Sequence, residues 1–322
     1  MRAGVATENG LALRDIPQPR PKPNEVLVKV RAAALNRADL ATARGIPHGS
    51  HGGIGAPVGI EWAGEVVETG AEVKGYRPGD RVMCSGTGGY AEYAVSDWGR
   101  VNPMPDGMSF EHAATLPVSL ITLHNALFTV GRLVAGESVM VQGASSGVGL
   151  MGLQIAKLKG AKLVIGTSTN DAHRTRLPEF GADLALDTRE AGFADAVLGA
   201  TGGKGVDLVV DMLSGPVVAQ SMRAVAILGR MVNVGRLAGA KAEFDFDLHA
   251  LRRIDYIGVT FRTRTLEEVR DINRRMRADL WEAVTAGKLS LPIDSRFPLD
   301  AAVEAQAHMR ANNHFGKIVL TM

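Results

Sequence analysis

The segment Val139-Met140-Val141-Gln142-Gly143-Ala144-Ser145-Ser146-Gly147-Val148-Gly149 does most to limit what this chain can fold into. An apolar β-type run ends in small residues and opens directly into a helix over residues 147–159, closed by Gly160 as a C-cap. Such a turn brings backbone amides and a helix dipole to one point, where a pyrophosphate can approach. The strict G-x-G-x-x-G spacing is absent, because Ala144 and Ser146 stand at its first two glycine positions. Taken alone, the segment also reads as a tight strand–helix turn without a ligand. Its surroundings extend the pattern, with apolar runs at 162–166, 182–186, 206–212, 230–234 and 254–261 separated by helical stretches. Strands alternating with helices predict a parallel, doubly wound α/β sheet of Rossmann type.

The first third reads differently. Short β-type runs at 2–6, 26–34, 61–68, 81–83 and 91–95 are punctuated by turn residues, and the proline-rich 17–23 is a stiff connector. No helical period is visible before about residue 110. A helix over 119–130 then leads into the doubly wound part. Near the C-terminus, Thr265-Leu266-Glu267-Glu268 is a capping box opening a long amphipathic helix. Asp300 reads as the N-cap of another helix, and 317–321 as a last strand. The predicted organisation is a β-rich domain over 1–121, completed by 263–322, with a Rossmann domain over 122–262 between them.

Composition removes several classes of function. Lys+Arg 36 against Asp+Glu 34 gives a formal charge of only +2, so no broad basic face for nucleic acid or an anionic membrane is expected. Cys84 is the single cysteine, which rules out an internal disulfide and a multi-thiolate metal site. The first residues lack an apolar stretch of signal-peptide length, and no apolar run reads as long enough to span a bilayer. A cytoplasmic protein is the expectation.

Cofactor choice turns on the end of the second Rossmann strand, Leu163-Val164-Ile165-Gly166-Thr167-Ser168-Thr169. An NAD enzyme usually has a carboxylate there for the ribose hydroxyls. Here Gly166 is followed by hydroxyls and by His173, Arg174 and Arg176, groups suited to a 2′-phosphate. NADPH is the expected cofactor, with Ser168, Thr169 and Arg174 at its phosphate; the arginines also fit a solvated helix face.

Three segments in order carry a family resemblance: Ala34-Leu35-Asn36-Arg37-Ala38-Asp39-Leu40, Gly59-Ile60-Glu61-Trp62-Ala63-Gly64 and Ser145–Gly149. The terminal Phe315-Gly316-Lys317-Ile318-Val319-Leu320 adds to them. Over essentially its whole length the chain resembles the medium-chain dehydrogenase/reductase superfamily, and within it the zinc-free quinone oxidoreductases that include the zeta-crystallin branch. The resemblance implies that the β-rich domain is GroES-like and catalytic. It sets Asn36, Ile60 and Val118 at the positions where zinc-dependent relatives hold their metal, and none carries a suitable side chain. His48 and His51 read as solvated loop residues rather than ligands. In many quinone oxidoreductases a tyrosine follows the Asn; Ala41 stands there, so a phenolic proton donor is not expected from that loop.

By the same resemblance, Asn36 sits at the nicotinamide ribose and Thr122 faces the nicotinamide. Either could instead be an ordinary helix residue, Asn36 as a cap. Ser145, Ser146, Gly147 and Val148 are expected at the pyrophosphate, and Val234, Gly235 and Arg236 at the turn past the nicotinamide. Phe261 is expected to wall the ring or to pack in a core. Lys317 is expected to reach the cofactor phosphates or to be a surface lysine. Asp39 reads as a structural hydrogen-bonding group, and His124 as packing.

Without a Lewis acid, acceptors already activated by conjugation are the expected substrates. Two-electron reduction of quinones or enones by NADPH is the first reading. A ketone or aldehyde reductase, and a non-catalytic, crystallin-like NADPH-binding protein, are the alternatives. The apolar run 254–261, as a sheet edge, predicts a homodimer.

Overall fold

The computed structural model describes residues 1–47 and 52–322, so His48 and His51 lie outside the described residues. Its contacts divide the chain into two compact units, Met1–Ile121 with Phe261–Met322, and Thr122–Thr260.

The first unit is built on a seven-stranded, mostly antiparallel sheet. Its order is Ile293–Pro298, Lys317–Thr321, Glu25–Ala34, Glu61–Thr69, Arg81–Ser85 and Val101–Pro103, with Tyr93–Asp97 also paired to Glu25–Ala34. Val26, Val28, Val30, Trp62, Val66, Val82 and Ile318 alternate inward along these strands into one core. Full burial of each such side chain contributes roughly 1.5–3 kcal/mol. Arg2–Thr7 and Gly10–Asp15 form a separate antiparallel pair. The C-terminal segment is thus a working part of this sheet, since Lys317–Thr321 lies directly against Glu25–Ala34.

The second unit carries six parallel strands in the order Leu184–Leu186, Leu163–Thr167, Ser138–Val141, Val206–Asp211, Val225–Asn233 and Asp255–Gly258. In chain order this is 3-2-1-4-5-6, the doubly wound arrangement. The order reverses between Ser138–Val141 and Val206–Asp211, whose carboxyl ends flank the crevice where such sheets take ligands. Met140, Ile165, Phe193, Val209 and Met231 are among the buried residues of its core.

Several elements differ from the sequence reading. A six-residue helix, Arg37–Thr42, stands in the β-rich region where no helical period is visible; six residues are too few to show one. The run 254–261 narrows to a strand at Asp255–Gly258, and Phe261 lies beyond it. Asp300 caps no helix: it sits inside the 3₁₀ turn Leu299–Ala301 and pairs with Arg2 at 2.9 Å. Finally, the helical run Phe110–Val130 is long and apolar enough to cross a membrane by composition, against the expectation that no run is. The most apolar window of that run is 72% buried, as a core helix is.

Candidate active site

Strand register assembles a polar cluster in the first unit. Val319 lies opposite Ala34, and Ala33 lies opposite Trp62 on the other flank. Continuing each strand by one or two residues brings Lys317, Asn36 and Glu61 to the same end of the sheet. All three are buried, Glu61 at 0%, Lys317 at 3% and Asn36 at 8% exposure. The Lys317 ammonium donates to Glu61 Oε1, to Asn36 Oδ1 at 3.0 Å and to the Leu35 carbonyl at 3.5 Å. Asn36 Nδ2 donates to Glu61 Oε1 at 2.9 Å, and Glu61 Oε2 accepts the Val118 N–H at 2.9 Å. A buried carboxylate is tolerated when it is paired and hydrogen-bonded, and both Glu61 oxygens are.

Glycines around Glu61 are required by crowding. Gly59 has φ +103°, and a Cβ there would stand 2.7 Å from the Tyr90 amide nitrogen. At Gly64 a Cβ would meet the Lys29 carbonyl oxygen at 2.1 Å. Tyr90, pressed against Gly59, donates its hydroxyl to Asp39 Oδ2, which also accepts the Asn36 N–H at 2.8 Å. Burial pushes the Asp39 carboxyl up to about 7, and it pushes the Tyr90 hydroxyl up as well. Asp39 is the structural hydrogen-bonding group expected of it, but it is also a buried proton-holding one.

In the second unit, Gly143 takes φ +65° after the strand Ser138–Val141, and Ser146 caps the helix Gly147–Leu158 by accepting the Gly149 N–H. Gly149 occupies the third glycine position of the motif for a physical reason. A Cβ there would lie 2.6 Å from Ala144 Cα. Gly147 and Val148 begin the helix, where first-turn N–H groups have no intrahelical acceptor and can bind an anion. Gly160, at φ +84°, follows the helix end as a left-handed cap residue.

The end of the second strand joins this loop. Ser168 Oγ donates to Ser145 Oγ at 3.1 Å, and Arg174 donates to the Ser168 carbonyl at 3.1 Å. Thr169 is exposed. The structure adds a carboxylate that the sequence reading misses: Asp187, 5% exposed, accepts from Arg174 at 3.2 Å and from Arg189 Nη2 at 2.5 Å. Hydrogen bonding from Arg189 holds the Asp187 carboxyl below its usual range. The signal was the register, since Leu186 pairs with Thr167 and the next residue therefore falls beside Ser168.

Val234 and Gly235 donate their N–H groups to the Asp211 carbonyl at 2.7 and 3.1 Å. A Cβ at Gly235 would lie 2.6 Å from the Met212 carbonyl oxygen, so the two strand tails pack without room for a side chain. Arg236 is exposed there. Thr122 is half-buried in the helix Pro117–His124, and His124 packs on Phe128 with ring centroids 5.4 Å apart. Phe261, in the first unit and outside any strand, lies under the Arg264 guanidinium at 5.9 Å. Lys317 is the main departure from the expected site: it is neither a surface lysine nor turned outward toward phosphates, because its ammonium is taken up by Glu61 and Asn36.

Comparison with known proteins agrees with this architecture. Residues 22–106 match the alcohol dehydrogenase GroES-like domain, and residues 147–276 match the zinc-binding dehydrogenase family. The quinone oxidoreductase of Rattus norvegicus is 31% identical over 96% of this chain and 92% of its own length. A phenolphthiocerol/phthiocerol polyketide synthase polypeptide of Mycobacterium tuberculosis is 32% identical over 98% of this chain, which spans only 14% of that much longer protein. A solved mycobacterial structure in complex with NADPH superposes with a TM-score of 0.88 at 26% identity, covering 100% of both chains. Fold and comparisons together place the chain in a class of oxidoreductases. The chain belongs to the medium-chain dehydrogenase/reductase superfamily, among proteins of the quinone oxidoreductase type.

Proposed function

We propose that this chain reduces quinones or other α,β-unsaturated carbonyls by two electrons, using NADPH and no zinc. The observation that carries the reading is the Lys317 ammonium bonded to Asn36 Oδ1 and Glu61. Zinc needs several neutral or anionic N, S or O donors around it. The positions that resemblance sets against metal ligands offer an amide, an isoleucine and a valine. Of the two carboxylates at hand, Glu61 is already neutralised by a lysine whose charge would repel a dication, and Asp39 is taken up by Tyr90 and the Asn36 N–H. The donor set does not suit zinc.

With no metal to polarise an isolated carbonyl, a conjugated acceptor is favoured, because its ring or alkene carbon is already electrophilic. NADPH, when bound, supplies the hydride. In this reading Ser145, Ser146, Gly147 and Val148 hold the pyrophosphate, and Ser168, Thr169 and Arg174 hold the 2′-phosphate. Val234, Gly235 and Arg236 line the turn past the nicotinamide, with Thr122 and Phe261 at the ring and Asn36 at its ribose. The fit is supported by the glycine-only approach at Gly149 and by the Ser145–Ser168–Arg174 contacts.

The test is a screen of NADPH consumption over quinones, enones and simple aldehydes. Quinones and enones are expected to turn over, and unconjugated aldehydes are not. Turnover confined to aldehydes would overturn the reading.

A further inference from the structure

Charge neutralisation alone would need only one contact between Lys317 and Glu61, yet both groups also grip the Asn36 side chain. The ammonium donates to Asn36 Oδ1 at 3.0 Å, and Glu61 Oε1 accepts from Asn36 Nδ2 at 2.9 Å. The same Nδ2 also points a longer contact at the Ala34 carbonyl, 3.4 Å away. A flipped amide would turn its N–H groups on the ammonium and its oxygen on the carboxylate, so only one orientation is satisfied. Both Nδ2 hydrogens are then directed to acceptors within the protein. Asn36 is also the N-cap of Arg37–Thr42, its side chain facing the Asp39 N–H in a capping box, so what it has left to offer is Oδ1 as an acceptor, in a geometry that the ammonium and the helix start fix together. Stability gives no reason for an ion pair here, since apolar residues of similar volume commonly serve a core as well or better.

We infer that Lys317 and Glu61 are positioning residues of the reaction. Together they hold Asn36 as a pure acceptor for a hydroxyl of the cofactor's nicotinamide ribose. This inference rests on the reading that Asn36 meets that ribose.

The experiment compares Asn36→Ala with the double variant Lys317→Met/Glu61→Gln, which removes both charges so that neither is stranded. Expected for a folded double variant is a thermal midpoint close to that of the unmutated protein, an unchanged KM for quinone, and kcat lower by about ten-fold or more. Asn36→Ala should lose a similar factor, and adding it to the double variant should cost nothing further, because the three side chains act as one unit. Hydrogen exchange of the Asn36 side-chain amide, followed by NMR without cofactor, should be slow in the unmutated protein and faster in the double variant. If that variant does not fold, Lys317→Leu/Glu61→Met, an apolar pair, takes the same measurements. A folded double variant with undiminished kcat or unchanged amide exchange overturns the inference while leaving the role of Asn36 intact. An Asn36→Ala protein with full activity removes the reading beneath it, and the inference with it.

Discussion

Tyr90 donates a 2.8 Å hydrogen bond to Oδ2 of Asp39, and neither side chain reaches solvent to any useful extent. The second Asp39 oxygen has no hydrogen-bond partner among the described residues. Burial therefore dominates and lifts the carboxyl from 3.8 to about 7. Between those values the folded protein keeps a proton that the unfolded chain releases. The stability this group contributes is full below its unfolded pKa and is lost as pH rises through about 7. From pH 5 to pH 8 the unmutated protein should lose on the order of a few kcal/mol relative to Asp39→Asn. Urea unfolding of both proteins at the two pH values checks this, and an equal gap at both would contradict it.

Arg174 gives the second prediction. Its guanidinium lies against the Ser168 carbonyl and is steadied there by Asp187, close to the Ser145–Ser168 pair. Arg174→Ala should weaken NADPH by ~1–3 kcal/mol, the range of a charge-assisted hydrogen bond, and leave NADH nearly unchanged. Fluorescence titration with both cofactors decides. Equal dissociation constants for NADPH and NADH in the unmutated protein would remove the basis of the assignment.

Metal independence is the third. Because the donor set around Asn36 and Glu61 already contains the Lys317 ammonium, dialysis against a strong chelator should leave turnover unchanged. Elemental analysis of the purified protein should find no stoichiometric zinc. Activity lost on chelation and restored by zinc would be the opposite result.

Assembly supplies the fourth. Asp255–Gly258 is one of the two edge strands of the six-stranded sheet, and Phe246, Leu251 and Tyr256, close to it in the chain, are 76%, 73% and 38% exposed. An open edge beside apolar side chains invites a second copy, and a two-fold contact closes on itself. Light scattering should report about twice the chain mass of 34.1 kDa at micromolar concentration. A mass equal to one chain would reject the homodimer.

What is legible in the sequence is local. The helix Gly147–Leu158 carries its own start and stop, Ser146 accepting from Gly149 and Gly160 in the left-handed region, so neighbours in the chain declare it. The six parallel strands are visible for the same reason, as short apolar runs between helices. What escapes a sequence reading depends on distance along the chain. Lys317 bonds to Asn36 across 281 residues, and nothing near either residue announces the other. Asp187 reaches Arg174 only because two parallel strands share a register. The expected surface or phosphate-facing lysine is instead a buried one because Lys317 begins a strand that lies beside Glu25–Ala34.

The most direct test of the central claim is the fate of the hydride. NADPH carrying deuterium at the transferred position of C4 is mixed with the protein and an α,β-unsaturated ketone, and the product is read by mass spectrometry and NMR. Conjugate reduction by a metal-free site predicts a saturated ketone with one deuterium on the β-carbon. An allylic alcohol with its deuterium on the carbinol carbon would contradict the account.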